Sequence, residues 1–229
     1  MTETTRRDEI AAGLAEVEAS IAEACRAAGR AREELTLIAV SKTYPASDVR
    51  LLAALGVTDV GENRDQEASA KVRECAGLDL TWHFIGQLQT NKVRQIAGLV
   101  DVYETVDRER LAREIAHRTP GARVLVQVDT SGEPGGEPGK GGCPIGELDP
   151  LIEVVRAAGL DLRGLMSVGP TDGGPEMARR GFRLVRQAVD RLGLAVCSMG
   201  MSDDLEVAVQ EGSTQVRVGT ALFGHRPPA

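Results

Sequence analysis

Lys42 is the residue whose type and position are best suited to chemistry. It follows a continuous apolar run with β-branched residues, 35–40, and Pro45 blocks further strand pairing, so the pattern predicts a strand buried on both faces. The carboxyl ends of strands carry the chemistry in barrels and in open α/β sheets. A lysine that loses hydration at such a position can act as a nucleophile. The alternative is a solvated lysine at a strand end.

Two later loops, residues 198–204 and 217–220, have the composition of an anion site. Barrels often bind phosphate with the loops that follow strands seven and eight. Ser202 precedes a predicted helix, so its hydroxyl and the first N–H groups can hold an anion, or Ser202 is a plain N-cap. Gly219 lets the backbone approach a ligand, and the amides of Gly219 and Thr220 can donate to phosphate oxygens.

A lysine nucleophile and a phosphate site at one barrel mouth suggest an aldehyde that bears a phosphate. Pyridoxal 5′-phosphate (PLP) fits this description, with Lys42 forming the Schiff base. Sugar-phosphate aldolases also use a barrel lysine, so these residues leave both hypotheses open.

Four other polar residues are weaker candidates. His83 lies within a strand pattern and is expected to be a hydrogen-bonded wall residue rather than an acid or base. His117 is expected to complement a helix dipole. Lys140 is interpreted as a solvated loop lysine, although it can reach the mouth. Tyr44 is near Lys42 and is a minor candidate for a second proton carrier.

Apolar periodicity predicts alternating strands and helices along the whole chain. The first helix spans 6–29, with an apolar stripe at Ile10, Leu14, Val17, Ile21 and Cys25. Further strands are predicted at 35–40, 57–61, 81–85, 100–105, 124–128, 162–168, 195–198 and 215–218. Further helices are predicted at 47–55, from after 64 to about 76, in a short stretch before 100, and at 108–117, 148–158, 176–192 and 203–211. Eight alternations with short connections predict a closed (β/α)8 TIM-type barrel, with a doubly wound open sheet as the fallback. Because little chain follows the last strand, the first helix is expected to fill the gap between the last strand and the first.

One low-complexity segment, 131–144, repeats Gly-Glu-Pro-Gly and ends near Lys140. It is not a phosphate P-loop, because Pro134 replaces the required first glycine and Gly141 replaces the Ser/Thr that would hold magnesium. A mobile loop over the barrel mouth is the better interpretation.

Composition excludes several classes of protein. The chain has 229 residues, a net charge of -7 and 3% aromatic residues, which argue against nonspecific nucleic-acid or anionic-membrane binding. Its four cysteines lie far apart and predict neither a zinc site nor a disulfide framework. The N-terminus has no apolar signal-peptide segment, so a cytoplasmic location is expected.

Over nearly its whole length, the sequence resembles the YggS/PROSC family of pyridoxal phosphate homeostasis proteins. The motifs that carry the resemblance are Ala39-Val40-Ser41-Lys42, Gly61-Glu62-Asn63-Arg64, Trp82-His83-Phe84-Ile85-Gly86-Gln87-Leu88-Gln89-Thr90-Asn91-Lys92, Gly164-Leu165-Met166, Ser198-Met199-Gly200-Met201-Ser202-Asp203 and Val216-Arg217-Val218-Gly219-Thr220-Ala221-Leu222-Phe223-Gly224. The chain departs from the family pattern at Asp65, where a small apolar residue is common, and in the lengthened loop at 132–142.

The resemblance implies one PLP-binding domain over residues 1–229, a barrel like the N-terminal domain of alanine racemase. It implies Lys42 as the PLP lysine, Asn63 lining the cofactor site and Arg217 facing the pyridine nitrogen. Met201, Ser202, Gly219 and Thr220 would surround the phosphate. No metal is implied.

A cation beside the pyridine nitrogen disfavours its protonation and weakens the ring as an electron sink. For Arg217 the alternative is a surface arginine in a salt bridge. The leading hypothesis is therefore a carrier, monomeric or weakly dimeric, that buffers PLP and passes it to apo-enzymes. A PLP-dependent amino-acid racemase is the rival. It needs a second acid/base group, which in the resembling racemases comes from an additional β-domain that this sequence is expected to lack.

Overall fold

Eight parallel strands close into a barrel in the computed structural model, which describes residues 3–131, 140–170 and 174–224. The eight barrel strands are β1 (Thr36–Val40), β2 (Asp59–Glu62), β3 (Thr81–Phe84), β4 (Val102–Val106), β5 (Arg123–Asp129), β7 (Asp161–Met166), β8 (Val196–Ser198) and β9 (Gln215–Val218). A ninth, two-residue strand, β6 (Cys143–Pro144), pairs with the end of β5. Their order is β4-β3-β2-β1-β9-β8-β7-β5, and β4 also pairs with β5. That last pairing closes the sheet, so the barrel prediction is confirmed and the open-sheet fallback is wrong.

Helices surround the barrel. They are α1 (Glu3–Ala27), α2 (Ala46–Ala54), α3 (Asp65–Glu74), α4 (Val93–Ile96), α5 (Glu109–Arg118), α6 (Leu148–Ala157), α7 (Pro175–Arg191), α8 (Leu205–Gln210) and α9 (Thr220–Phe223). Most lie within a few residues of their predicted positions. The short helix α9 was not predicted, since four residues are too few to show a periodic pattern.

The helix α1 covers the seam between the first and last strands of the barrel. Its whole predicted stripe, from Ile10 to Cys25, packs in one cluster with outward residues of β1 and β9 and with α8 and α9. Each such apolar side chain contributes roughly 1.5–3 kcal/mol when fully buried. The predicted placement of the first helix is confirmed.

Alternation along the strands divides side chains between the barrel interior and the surrounding helices. On β1, Leu37 and Ala39 pack outward against the α1 cluster. A Cβ at Gly61 of β2 would lie 3.0 Å from Ile38 Cγ2 and 3.6 Å from Val40 Cγ2, so these two side chains face the interior. Lys42, two residues after Val40, lies at the carboxyl end of the barrel.

Two predictions on loops need comment. The low-complexity segment ends in a short strand, β6, which pairs with the end of β5 and is too short for a pattern to reveal. The predicted mobile loop itself, including Pro134 and the repeat, lies largely at 132–139, outside the described residues.

Within the described ranges, no helix is long and apolar enough to cross a bilayer, and no group of three or more His, Cys, Asp or Glu side chains is placed to hold a metal ion. All four cysteines are buried free thiols. Burial raises the pKa of Cys143 to about 11 and of Cys197 to about 12, which keeps both thiols unreactive.

Candidate functional site at the barrel mouth

Lys42 lies two residues after the end of β1, in a turn at the barrel mouth. Its side chain is half-buried and forms no hydrogen bond or ion pair with the described residues. The strand beneath it is fixed on both sides, because Ile38 pairs with Asp59 of β2 and with Arg217 of β9. A lysine amine held at this edge, without a carboxylate partner, is available to react with a ligand in the mouth.

Arg217 lies inside the barrel on β9, the strand next to β1. It is 4% exposed, and its two terminal nitrogens donate to Ser198 Oγ and to the Ser167 carbonyl, each at 2.7 Å. Burial lowers the pKa of this guanidinium, which the negative charges of Glu104 and Asp204 oppose. The alternative interpretation of Arg217, a surface arginine in a salt bridge, is therefore wrong.

A chain of hydrogen bonds crosses the barrel interior and ends at Arg217. We call it the interior network; its members are Asp59, His83, Glu104, Ser198 and Arg217. His83 Nε2 lies 3.0 Å from Asp59 Oδ1 and its Nδ1 lies 2.7 Å from Glu104 Oε1, while Ser198 Oγ donates to Glu104 Oε2 at 2.7 Å.

His83 is the buried centre of the interior network. Burial lowers its pKa, but the hydrogen bonds and charges of Asp59 and Glu104 outweigh that effect and raise the pKa to about 9. The imidazolium is therefore charged at neutral pH, with both ring nitrogens donating. The prediction of a hydrogen-bonded wall residue is confirmed, and sequence reasoning missed Glu104 and Ser198, which complete the chain.

Several buried polar atoms at the carboxyl edge have no hydrogen-bond partner among the described residues. They include Asn63 Oδ1 after β2, Thr105 Oγ1 near the end of β4 and Ser167 Oγ after β7. Burying a polar atom without a partner is costly. The unpartnered Asn63 Oδ1, with the lysine and the arginine, suits a ligand with a polar aromatic ring such as PLP. Asn63 is also fixed in place, because a Cβ at Gly86 would lie only 2.1 Å from its carbonyl oxygen.

The two loops predicted to bind phosphate follow β8 and β9, as expected. Ser202 and Thr220 are exposed, and the amides of Gly219 and Thr220 have no acceptor among the described residues. A Cβ at Gly219 would lie 3.1 Å from the Val40 carbonyl oxygen, so close packing against β1 is a further reason for glycine there.

Ser202 is not the N-cap of the following helix. Residues 202–204 form a turn, α8 begins at Leu205, and Asp204 occupies the N-cap position. The Asp204 carboxylate accepts from the Met201 amide at 2.6 Å, so it stabilises the turn and leaves that amide engaged. The N-cap alternative for Ser202 is therefore wrong. The Met201 side chain is exposed, next to this turn.

The structure does not agree with two interpretations from the sequence, Tyr44 as a minor candidate proton carrier and Lys140 as a solvated loop lysine. The Tyr44 hydroxyl donates to the Gly224 carbonyl at 2.7 Å and its ring stacks on Phe223 at 4.4 Å, within the outer α1 cluster. This tether removes it as a proton carrier. Lys140 is half-buried rather than solvated, since its ammonium donates to the Gly169 carbonyl.

A second group of buried charges, unpredicted from the sequence, lies behind Lys42 on the outer side of the barrel. We call it the α3 network; its members are Ser41, Glu62, Glu67 and Lys71. Lys71 Nζ donates to Glu62 Oε1 and to the Ser41 carbonyl, each at 2.6 Å, and Ser41 Oγ donates to Glu62 Oε1 at 2.5 Å. Burial raises the pKa of Glu62 despite these donors.

Known proteins share both the fold and much of this sequence. A family model described as the N-terminal domain of alanine racemase matches residues 14–227. The chain is 44% identical to a pyridoxal phosphate homeostasis protein of Pseudomonas aeruginosa, over 95% of this chain and 96% of that protein. It is 40% identical to the protein of that name from Escherichia coli, over 96% and 97%.

Solved structures agree. PipY of Synechococcus elongatus with PLP bound has a TM-score of 0.74 and 34% identity, covering 89% of this chain and 100% of that one. An alanine racemase of Clostridium difficile, at 16% identity and a TM-score of 0.68, covers 91% of this chain and 56% of that one and shares the fold alone.

Proposed function

Since the chain belongs to the family of pyridoxal phosphate homeostasis proteins, which share the alanine racemase N-terminal domain, we propose that it binds PLP as a Schiff base on Lys42. In this proposal the chain acts in PLP homeostasis, buffering the cofactor and delivering it to apo-enzymes. Residues 1–229 serve as one binding domain, in the cytoplasm, as a monomer or weak homodimer.

One observation carries the proposal. Lys42 lies in the turn that follows β1, at the barrel mouth, and Arg217 is buried on β9, the strand paired with β1. Lys42 would hold PLP through its side-chain amine, and PLP, when bound, would supply the aldehyde with which that amine reacts reversibly, with loss and regain of one water. The buried arginine then suits the ring nitrogen, beside which its charge disfavours protonation.

The remaining site residues have separate roles in the proposal. Asn63 offers a buried amide oxygen that has no partner in the described parts of the chain. Ser202, Gly219 and Thr220 offer hydroxyl and amide donors to the phosphate from two adjacent loops. The exposed Met201 side chain covers the rim of the cofactor site.

We infer that turnover is weak or absent. Carbanion chemistry needs a ring that withdraws electrons strongly, and Arg217 opposes the protonation on which this depends. Racemisation also needs a second acid/base group opposite the lysine. Tyr44, the candidate from the sequence, is tied to Gly224 in the outer layer. Supplied with a panel of amino acids, the protein is expected to give no turnover above background, and racemisation that disappears in Lys42→Ala would contradict the carrier proposal.

Borohydride reduction followed by peptide mapping tests the Lys42 assignment. The chain has only four lysines, at 42, 71, 92 and 140, so the assignment is unambiguous. We expect the reduced adduct on Lys42, and we expect Lys42→Ala to abolish the absorbance band of lysine-bound PLP. Noncovalent PLP should persist, since Arg217 and the loop donors do not depend on the C=N bond. Lys92→Ala is the matched control, and an adduct on any other lysine would overturn the site.

A double substitution, Ser202→Ala with Thr220→Ala, tests the phosphate loops. Each lost hydrogen bond to a charged group is worth roughly 1.5–3 kcal/mol, so loss of both should lower PLP affinity about a hundredfold or more. Pyridoxal, which has no phosphate, should bind the variant as it binds the original chain. Equal losses for both ligands, or no loss relative to the exposed control Ser20→Ala, would remove these residues from the site.

A further inference from the structure

The turn that carries Lys42 has a strained backbone. The Tyr44 amide donates to the Ser41 carbonyl at 3.0 Å, so Lys42 and Thr43 are the two central residues of the turn. Thr43 has φ of 70°, and it is the only non-glycine residue with positive φ in the described ranges. Glycine or asparagine normally occupies such a position, and a β-branched residue there is an outlier. Strain of this kind persists only where the surroundings enforce it, and it clusters at functional sites.

Helix α3 supplies the enforcing contacts on both sides of Lys42. Lys71 Nζ donates to the Ser41 carbonyl at 2.6 Å, and Glu67 Oε2 accepts from the Thr43 amide at 2.8 Å. Lys71 and Glu67 lie one helical turn apart, with 3.4 Å between Nζ and Oε2. The peptide groups before and after Lys42 are therefore held by one face of one helix.

The charges on this face are unusually buried. The side chains of Lys71 and Glu62 are 8% and 0% exposed, and Glu62 Oε1 anchors the Lys71 ammonium at 2.6 Å. Buried ion pairs often add little to stability compared with apolar residues of the same size. The network lies directly behind the reactive lysine and holds its backbone, so it suits a role in placing that residue.

We propose that Lys71 and Glu67 are positioning residues for Lys42, which keep the strained turn in place and present the lysine amine to the barrel mouth in one orientation. The inference rests on the proposed Schiff base at Lys42. It adds how the amine of this lysine is held in place for that reaction. Correct placement of a reacting group contributes strongly to rate, and small displacements are costly.

The rate of Schiff-base formation, followed by absorbance after mixing with excess PLP across a pH series, tests the inference. We expect Lys71→Met to slow the reaction about tenfold or more, and Glu67→Gln to slow it several-fold. Arg73→Met and Glu74→Gln, at exposed positions of the same helix, are matched controls and should leave the rate unchanged. Binding of pyridoxine 5′-phosphate, which has the ring and phosphate but no aldehyde, should stay within about twofold in every variant, because placement of the amine does not affect noncovalent contacts.

A rescue experiment separates positioning from a general structural role. Glycine adopts positive φ without strain, so Thr43→Gly added to Lys71→Met or to Glu67→Gln should restore much of the lost rate. Should Lys71→Met fail to fold, the Glu67→Gln pair carries the same test, since Glu67 lies nearer the surface.

Three results would overturn the inference: an unchanged rate in both single variants, a parallel loss of pyridoxine 5′-phosphate binding, or no rescue by Thr43→Gly. Failure of the unsubstituted protein to form a Schiff base on Lys42 would instead reject the proposed function itself.

Discussion

Glu62 and Glu104 are equally buried, yet their pKa values shift in opposite directions. Both side chains are 0% exposed. Burial acts to raise the pKa of each, and for Glu62 it prevails over Lys71 and Ser41. For Glu104 the hydrogen bond and charge of His83, the charge of Arg217 and the Ser198 hydroxyl prevail, and the pKa is lowered.

The number and placement of the donors explain the difference. Both oxygens of Glu104 accept, one from His83 and one from Ser198. Glu62 accepts both of its bonds at Oε1, and Oε2 has no partner among the described residues. The nearby charge of Glu67 also raises the pKa of Glu62. Burial alone therefore does not decide the direction of the pKa shift of a carboxyl group; the hydrogen-bond donors and charges around it also do.

The two networks consequently suit different tasks. The interior network holds a fixed ionised carboxylate near Arg217, which keeps a permanent cation in place beneath the proposed cofactor site. The α3 network holds backbone atoms around Lys42 and does so with a carboxyl group that is easier to protonate. Substitutions that remove one charge from each network should reveal this contrast.

Glu104→Gln should cause the largest loss of stability. It leaves the buried Arg217 and His83 with the charges of Asp204 and Asp59 only, and breaking a buried pair costs about 3–5 kcal/mol. Glu62→Gln should cost less, about 1–2 kcal/mol, because the amide oxygen still accepts from Lys71 and the Glu67 carboxylate stays 3.4 Å from the Lys71 ammonium. Urea unfolding of both variants measures the difference, and equal losses would show that the two networks are energetically alike.

The pH dependence of stability should show the interior network through His83. Its folded pKa of about 9 lies above the ordinary value of 6.5, so the folded chain binds the proton more tightly than the unfolded chain. This stabilisation, roughly 3 kcal/mol, is complete below about pH 6.5 and is lost as the pH rises through about 9. Unfolding free energies measured across that range should fall accordingly. The His83→Gln variant should be less stable at pH 6.5, and its unfolding free energy should change less between pH 6.5 and 9. If the variant keeps the pH dependence of the original chain, another group causes the effect.

Much of this molecule follows from local patterns. The apolar stripe of α1, the alternation of the strands and the lysine at the end of β1 are repeated, periodic signals, and each predicted its element. Arg217 was singled out by the family resemblance, and its place next to the Gly219-Thr220 pair supported a role at the site. His83 was interpreted correctly as a wall residue, because a histidine inside a strand is usually satisfied by its neighbours.

The failures have physical causes. Ser202, Asp203 and Asp204 are all good N-cap residues, so the sequence does not show at which one the helix begins. The Glu62–Lys71 pair depends on Glu62 pointing outward from β2, which follows from strand register rather than composition. Thr43 gives no signal for a positive φ, since threonine is among the residues least suited to it. That strain arises from tertiary contacts alone.

Tyr44→Phe should have the smallest effect. It tests whether the α3 network alone, among the outer contacts near Lys42, positions that residue. Tyr44 lies two residues after Lys42, and its hydroxyl donates to Gly224 at the end of α9. Loss of one hydrogen bond should cost about 0.5–1.5 kcal/mol, whereas the ring stays stacked on Phe223. The rate of Schiff-base formation should not change, because the two peptide groups around Lys42 are held by Lys71 and Glu67 rather than by this hydroxyl. Stopped-flow absorbance and urea unfolding on the same preparation measure both quantities. A slowed reaction without a stability loss would mean that Tyr44 acts at the lysine, and the distinction between an outer tether and a site residue would fail.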